Sequence, residues 1–127
     1  MKKVIAFIVL IGFVSLGAKK APYYVWVEST AYCPCSICCG SNANGLTAKM
    51  RDAYLPGVAV DPKFISLGSH LDIPGYKRGP NKNGSWIRAD DTGRVIKKDK
   101  IDVRFKTHEE AKKWGRKWIR VRVHLKN

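Results

Sequence analysis

The chain has 127 residues, with 24 lysines and arginines against 10 aspartates and glutamates, for a formal net charge of +14. That length is enough for a single hydrophobic core but not for two. The charge favours anionic partners, without choosing among them.

The chain opens with "MKK", a basic n-region, followed by "VIAFIVLIGFVSLGA", an apolar h-region ending in small residues. This is the pattern of an export signal over residues 1–18. Cleavage after Gly17 or Ala18 fits the pattern. The alternative is an uncleaved anchor, although the apolar run is short for a full membrane span. The expected location is secreted, periplasmic or cell-wall associated. Loss of the leader with Lys2 and Lys3 leaves a strongly basic remainder, suited to an anionic polymer outside the cell.

Residues 19–28 lead into the first strand, and residues 29–127 read as one domain. "PYYVWVESTAY" (22–32) is rich in β-branched and aromatic residues, as strands are. It runs into "CPCSICCG", which holds Cys33, Cys35, Cys38 and Cys39. In an exported chain this even count predicts two disulfides. Pairing 33–35 with 38–39 would strain both bridges, which leaves 33–38 with 35–39, or 33–39 with 35–38. A zinc ion on the four thiolates is the competing reading, but the spacing lacks two separated pairs, and no metal is expected.

Short strands follow at "GVAVD" (57–61) and "HLDIPG" (70–75), each closed by a proline. "KRGPNKNGS" (77–85) has the composition of a long exposed hairpin loop. "SWIRAD" and "KIDVRF" alternate as half-buried strands do. Thr107 as N-cap, Glu110 at N3 and Gly115 at the end mark one short helix. "KWIRVRVHL" then places Ile119, Val121, Val123 and Leu125 on one strand face and Trp118, Arg120, Arg122 and His124 on the other. Short strands, Gly/Pro turns and a single helix predict a mainly β protein, a small closed barrel.

Three carboxylates, Asp61, Asp91 and Asp102, sit within or at the ends of apolar strands. Gathered in a partly dry groove, such groups repel one another and at least one pKa rises, which suits a general acid for glycosidic cleavage. The plainer reading is that each aspartate caps a turn.

"STAYCPCSICCG…NGLTA", "AVDPKFISLGS", "ADDTGRVIKKDKIDV" and "AKKWGRKWIRVRV", in that order, resemble the 3D domain, a family named for its three aspartates. That family is similar to the catalytic barrel of the MltA-type lytic transglycosylases. The resemblance implies a double-psi β-barrel with the aspartates in a substrate groove. It assigns Asp102 as general acid and base, Asp91 as the group that raises or orients it, and Asp61 as support. Thr47, Thr92, Lys97 and Tyr32 are implied to bind substrate. The implied reaction is non-hydrolytic cleavage of the MurNAc–GlcNAc β-1,4 bond. One carboxyl protonates the leaving oxygen and then deprotonates the muramyl 6-hydroxyl, which closes a 1,6-anhydro ring. No cofactor is needed, because the nucleophile belongs to the substrate. The implied partners are peptidoglycan glycan strands, with anionic wall polymers as further ligands, no specific nucleic acid, and a monomeric state.

This sequence departs from the family pattern where Arg94 and Lys98 stand in place of two glycines. A cation beside the acid would lower its pKa and weaken it as a proton donor. Three other readings compete. A non-catalytic wall-binding module would stack sugars on Trp86, Trp114 and Tyr76. An aspartic protease would use the "DTG" triplet, but "IRAD" is too polar for the strand that precedes it there. A nucleic-acid binder would track phosphates with Lys117, Arg120 and Arg122, which export argues against.

Overall fold

The computed structural model describes residues 20–41, 43–77 and 87–126. The expected export signal, Trp86 and the 77–85 loop from residue 78 onward lie outside the described residues. In chain order the elements are β1 (Tyr23–Tyr32), α1 (Ser36–Cys39), β2 (Val58–Val60), β3 (His70–Asp72), β4 (Ile87–Asp91), β5 (Lys100–Arg104), α2 (His108–Trp114) and β6 (Lys117–His124).

The strands close into a barrel in the order β1-β5-β2-β4-β3-β6. β1 runs parallel to β5, and β2 parallel to β4, while the remaining pairs are antiparallel. Parallel neighbours require crossovers, so this is no simple meander. It is the small mainly β barrel, with one short helix near the C-terminus, expected from the sequence. Closure removes the exposed edges that would otherwise template association.

Alternation fills the barrel. Val27, Ile101, Val103, Val121 and Val123 are completely buried, and Val58 and Val60 join them from β2. The two neighbours of Val121 on β6, Arg120 and Arg122, instead lie near the Tyr24 ring on the outer surface, at 4.6 and 5.8 Å.

α2 forms where its caps predict. The Thr107 hydroxyl accepts from the Glu110 N–H at 3.2 Å and donates to the Glu110 carboxylate, and Gly115 closes the helix at φ 70°. The helix brings Trp114 against Tyr76 and Phe105, with ring centroids 6.1 and 5.8 Å away. Trp114 Nε1 donates to Ser29 Oγ at 2.9 Å, and the Lys117 ammonium lies 3.6 Å from its ring centre. Tyr76 is fully buried and donates to the Arg104 carbonyl. Tyr76 is therefore an interior group that offers no sugar platform, while Trp114 is partly buried, with the Lys117 ammonium over its ring. A buried ring already in edge-on contact has no free face to offer a glycan.

Candidate active site

β2 separates β4 from β5, and its residue Ala59 is the register partner of both Asp91 and Asp102. Two strand spacings put the aspartate backbones about 10 Å apart on either side of one small side chain. Ala59, Tyr32 and Ile96 form a buried apolar floor. Above it lies a groove of about 480 Å³, walled by Pro34, Cys38, Asn44, Leu46, Asp91, Thr92, Arg94, Val95 and Asp102 among others.

The two carboxyls are held differently. Asp102 sits opposite Thr30 in the parallel β1–β5 pair, and the Thr30 hydroxyl donates to its Oδ1 at 2.9 Å. Burial pushes the Asp102 pKa up to about 6. The Thr30 hydrogen bond pulls against that rise, and the negative charge of Asp91 adds to it. Asp91 accepts from three donors: the Tyr32 hydroxyl at 2.7 Å, and the Ala48 and Thr92 N–H groups at 2.9 Å each. One carboxyl therefore retains its proton toward neutral pH, while the other is fixed as an acceptor.

Behind Asp91 stands a buried ion pair. Arg104 donates from Nη1 and Nη2 to the two Asp90 oxygens, both at 2.8 Å, from Nη1 to Tyr32 Oη at 3.1 Å, and from Nε to the Leu55 carbonyl at 2.8 Å. Arg51 Nε adds a third contact to Asp90 at 3.0 Å. Asp90, Arg104, Tyr32 and Asp91 thus form one hydrogen-bonded chain that orients the groove carboxylate. Burial raises the Tyr32 pKa strongly, so its hydroxyl stays a donor to Asp91.

Residues 57–125 match the family model of the 3D domain, and that match spans more than half of the chain. The chain belongs to the 3D domain family. It is 38% identical over 98 residues to YabE of Bacillus subtilis (strain 168), a protein named for cell wall shaping, covering 76% of this chain and 22% of YabE. It is 39% identical over 66 residues to the cell wall-binding protein YocH of the same strain, covering 52% of this chain and 20% of YocH. A protein of the SPbeta prophage, YorM, is 33% identical over 107 residues, covering 82% of this chain and 42% of YorM. The chain spans about a fifth of the length of the first two relatives.

Within this 3D domain the three aspartates separate. Asp91 and Asp102 share the groove; Asp61 is not among its walls. Both Asp61 oxygens accept backbone N–H groups, from Lys63 at 3.0 Å and Lys98 at 2.9 Å, and these bonds, that to Lys98 foremost, hold its pKa below the usual carboxylate value. Asp61 fastens the turn after β2 to the turn before β5, which is the capping role set out above as the plainer reading.

The implied substrate-binding residues separate as well. Tyr32 and Thr92 line the groove. Thr47 is buried, and its hydroxyl accepts from Lys49 and Arg51 N–H groups to shape its own loop. Lys97 is exposed on the turn near Asp61, whose pKa its charge lowers. Of the two residues in place of glycines, Arg94 lines the groove while Lys98 turns its N–H to Asp61. Despite these cations, the Asp102 pKa is raised, because burial is its largest determinant.

The cysteine loop departs from expectation. Cys33 is joined to Cys35, with Cα atoms 5.4 Å apart, and Cys38 and Cys39 remain thiols. The crossed pairings expected from the sequence are not formed. The single turn of α1 points Cys38 Sγ toward His108 Nδ1 at 3.4 Å and Cys39 Sγ toward the Cys33 carbonyl at 3.2 Å. Thr30, Ala59, Asp90 and Arg104 were missed as groove-building residues. The "STAY" and "ADD" motifs contain two of them, so the signal was present but not resolved to a role.

Proposed function

We propose that this domain is a lytic transglycosylase acting on the MurNAc–GlcNAc β-1,4 bond of peptidoglycan and working at the cell wall. The observation that carries the reading is Asp102, a carboxyl with its pKa near 6, hydrogen-bonded by Thr30 and facing Asp91 across a groove. Family membership and the cell-wall names of two relatives support it.

Asp102 donates its proton to the glycosidic oxygen as the C–O bond breaks. The resulting carboxylate then takes the proton of the muramyl 6-hydroxyl, whose oxygen attacks the anomeric carbon and closes the 1,6-anhydro ring. The proton lost in the first step is regained in the second, so one acid/base suffices, in contrast with paired-carboxylate hydrolysis. Asp91, fixed by Tyr32, holds negative charge opposite and favours the oxocarbenium-like transition state. The test is mass spectrometry of purified sacculi digested by the full chain. Muropeptides ending in 1,6-anhydro-MurNAc are expected, and Asp102→Asn should reduce them at least ~100-fold, the usual contribution of a general acid. Products carrying reducing ends, or no products at all, would defeat the proposal.

A second reading, a cell-wall-binding module, is favoured by one observation. Tyr24, Trp26 and Trp118 are each more than half exposed, on the outer face formed by β1 and β6, with Arg120 and Arg122 beside Tyr24. Exposed aromatic rings flanked by guanidinium groups can stack on sugar rings and pair with wall carboxylates or phosphates. Retention on sacculi by the Asp102→Asn variant, lost on Trp26→Ala with Trp118→Ala, is the outcome this reading requires.

A further inference from the structure

We propose that Cys33, Cys35, Cys38 and His108 form a zinc site when the cysteines are reduced. One ligand atom from each lies within 4.8 Å of all the others. A tetrahedral ion with Zn–S near 2.3 Å and Zn–N near 2.0 Å sets its ligands about 3.5–3.8 Å apart. The Cys38 Sγ–His108 Nδ1 distance is already 3.4 Å, and Cys33 Sγ lies 2.9 Å from Cys38 Sγ, so an entering ion moves the sulfurs by under about 1 Å.

The set differs from the four-thiolate cluster considered from the sequence. Three ligands come from one loop and its single helical turn. The fourth arrives from the start of α2, 70 residues beyond Cys38. The Thr107 cap fixes the first turn of α2 and with it the place of His108. Cys39 is excluded because its sulfur is exposed and turned to the Cys33 carbonyl. Four protein ligands close the coordination sphere, which is the arrangement of a structural rather than a catalytic zinc. Binding releases the protons of the three thiols. The Cys33–Cys35 disulfide and the ion exclude each other, because a sulfur in that bond is no longer a thiolate.

Such an ion has a place to act. α1 is one turn long, has no side-chain cap and buries none of its own residues. Yet Pro34, Cys38 and Cys39 form one wall of the groove that holds Asp91 and Asp102. The metal would pin that wall to α2. This inference stands independently of the reaction proposed above.

The test uses the full chain, purified with a phosphine reductant and titrated with Co²⁺ and then Zn²⁺. One metal per chain is expected, with tetrahedral cobalt d–d bands and a thiolate-to-cobalt charge-transfer band sized for three sulfurs. Cys39→Ser should leave spectrum and affinity unchanged, while His108→Ala should weaken binding at least ~10-fold and alter the d–d bands. Wild-type protein gives a readout without any variant. Zinc should protect Cys33, Cys35 and Cys38 from alkylation and leave Cys39 reactive, as read by peptide mass spectrometry. Absence of stoichiometric metal uptake by the reduced chain would overturn the site. So would protection of all four cysteines, or loss of binding on Cys39→Ser with none on His108→Ala.

Discussion

Asp102 and Lys98 show how single residues set both chemistry and stability. Asp102 has its pKa raised from 3.8 to about 6, mainly by burial. The folded state therefore holds this proton more tightly than the unfolded chain does. Its stabilising contribution is complete below about pH 4 and is lost as pH rises through about 6. Two units correspond to at most about 3 kcal/mol, and the open groove reduces this to about 1–2 kcal/mol. Asp102→Asn, which keeps an acceptor for Thr30, should accordingly gain stability relative to wild type between pH 4 and 7. Urea denaturation at both pH values measures this, and a constant difference would contradict it. Lys98 takes a φ of 56° where the family has glycine. A side chain in that region costs about 1–2 kcal/mol, and glycine loses about 0.5–1 kcal/mol in chain entropy. Lys98→Gly should therefore stabilise the domain by roughly 0.5 kcal/mol with its N–H still bonded to Asp61, seen as a small rise in Tm.

At the scale of elements, legibility follows how local the determining interactions are. The α2 helix was readable to the residue because Thr107, Glu110 and Gly115 act within one turn of each end. The closed barrel was readable as a class, but its strand order was not, since β1 and β5 meet through contacts some seventy residues apart. β4 shows where alternation fails. Val58 pairs with Ala89, but Ala59 pairs with Asp91, so Asp90 is the extra residue of a bulge. That bulge sends Asp90 to Arg104 and Asp91 to the groove, a division that "RADD" cannot announce. Asp61 is ambiguous in sequence for a similar reason: an aspartate at a strand end can cap a turn or face a cleft, and only the tertiary register decides. The segment before β2 packs directly on the buried ion pair, because a Cβ added at Gly57 would lie 2.2 Å from Arg104 Nη2 and 2.6 Å from Asp90 Oδ1. Gly57→Ala must displace one of those groups. A loss of about 3 kcal/mol or more is expected, as for breaking a buried pair, together with weakening of the proposed activity through a mispositioned Tyr32. Normal stability in thermal unfolding would show that the pair can shift at no cost.

For the whole molecule, charge and shape divide the work between two surfaces. The chain carries a formal charge of +14, whereas the groove gathers Asp91 and Asp102, with Arg94 also on its wall. A polyanion is therefore drawn to the protein in general, and on the proposed function the groove carboxyls are left for a neutral glycan segment. On that reading the arrangement brings the wall close without saturating the cleft with phosphates or carboxylates. Binding to sacculi should then weaken steeply with salt, because the screening length falls from about 8 Å at 0.15 M to about 3 Å at 1 M. Turnover of short, uncharged glycan fragments should change far less, since burial rather than long-range attraction sets the Asp102 pKa. Measuring both over the same salt series separates the two surfaces. Equal salt dependence in the two assays would mean that encounter and chemistry share one electrostatic site. Salt-independent retention would assign wall binding instead to Tyr24, Trp26 and Trp118, whose stacking on sugars needs no net charge.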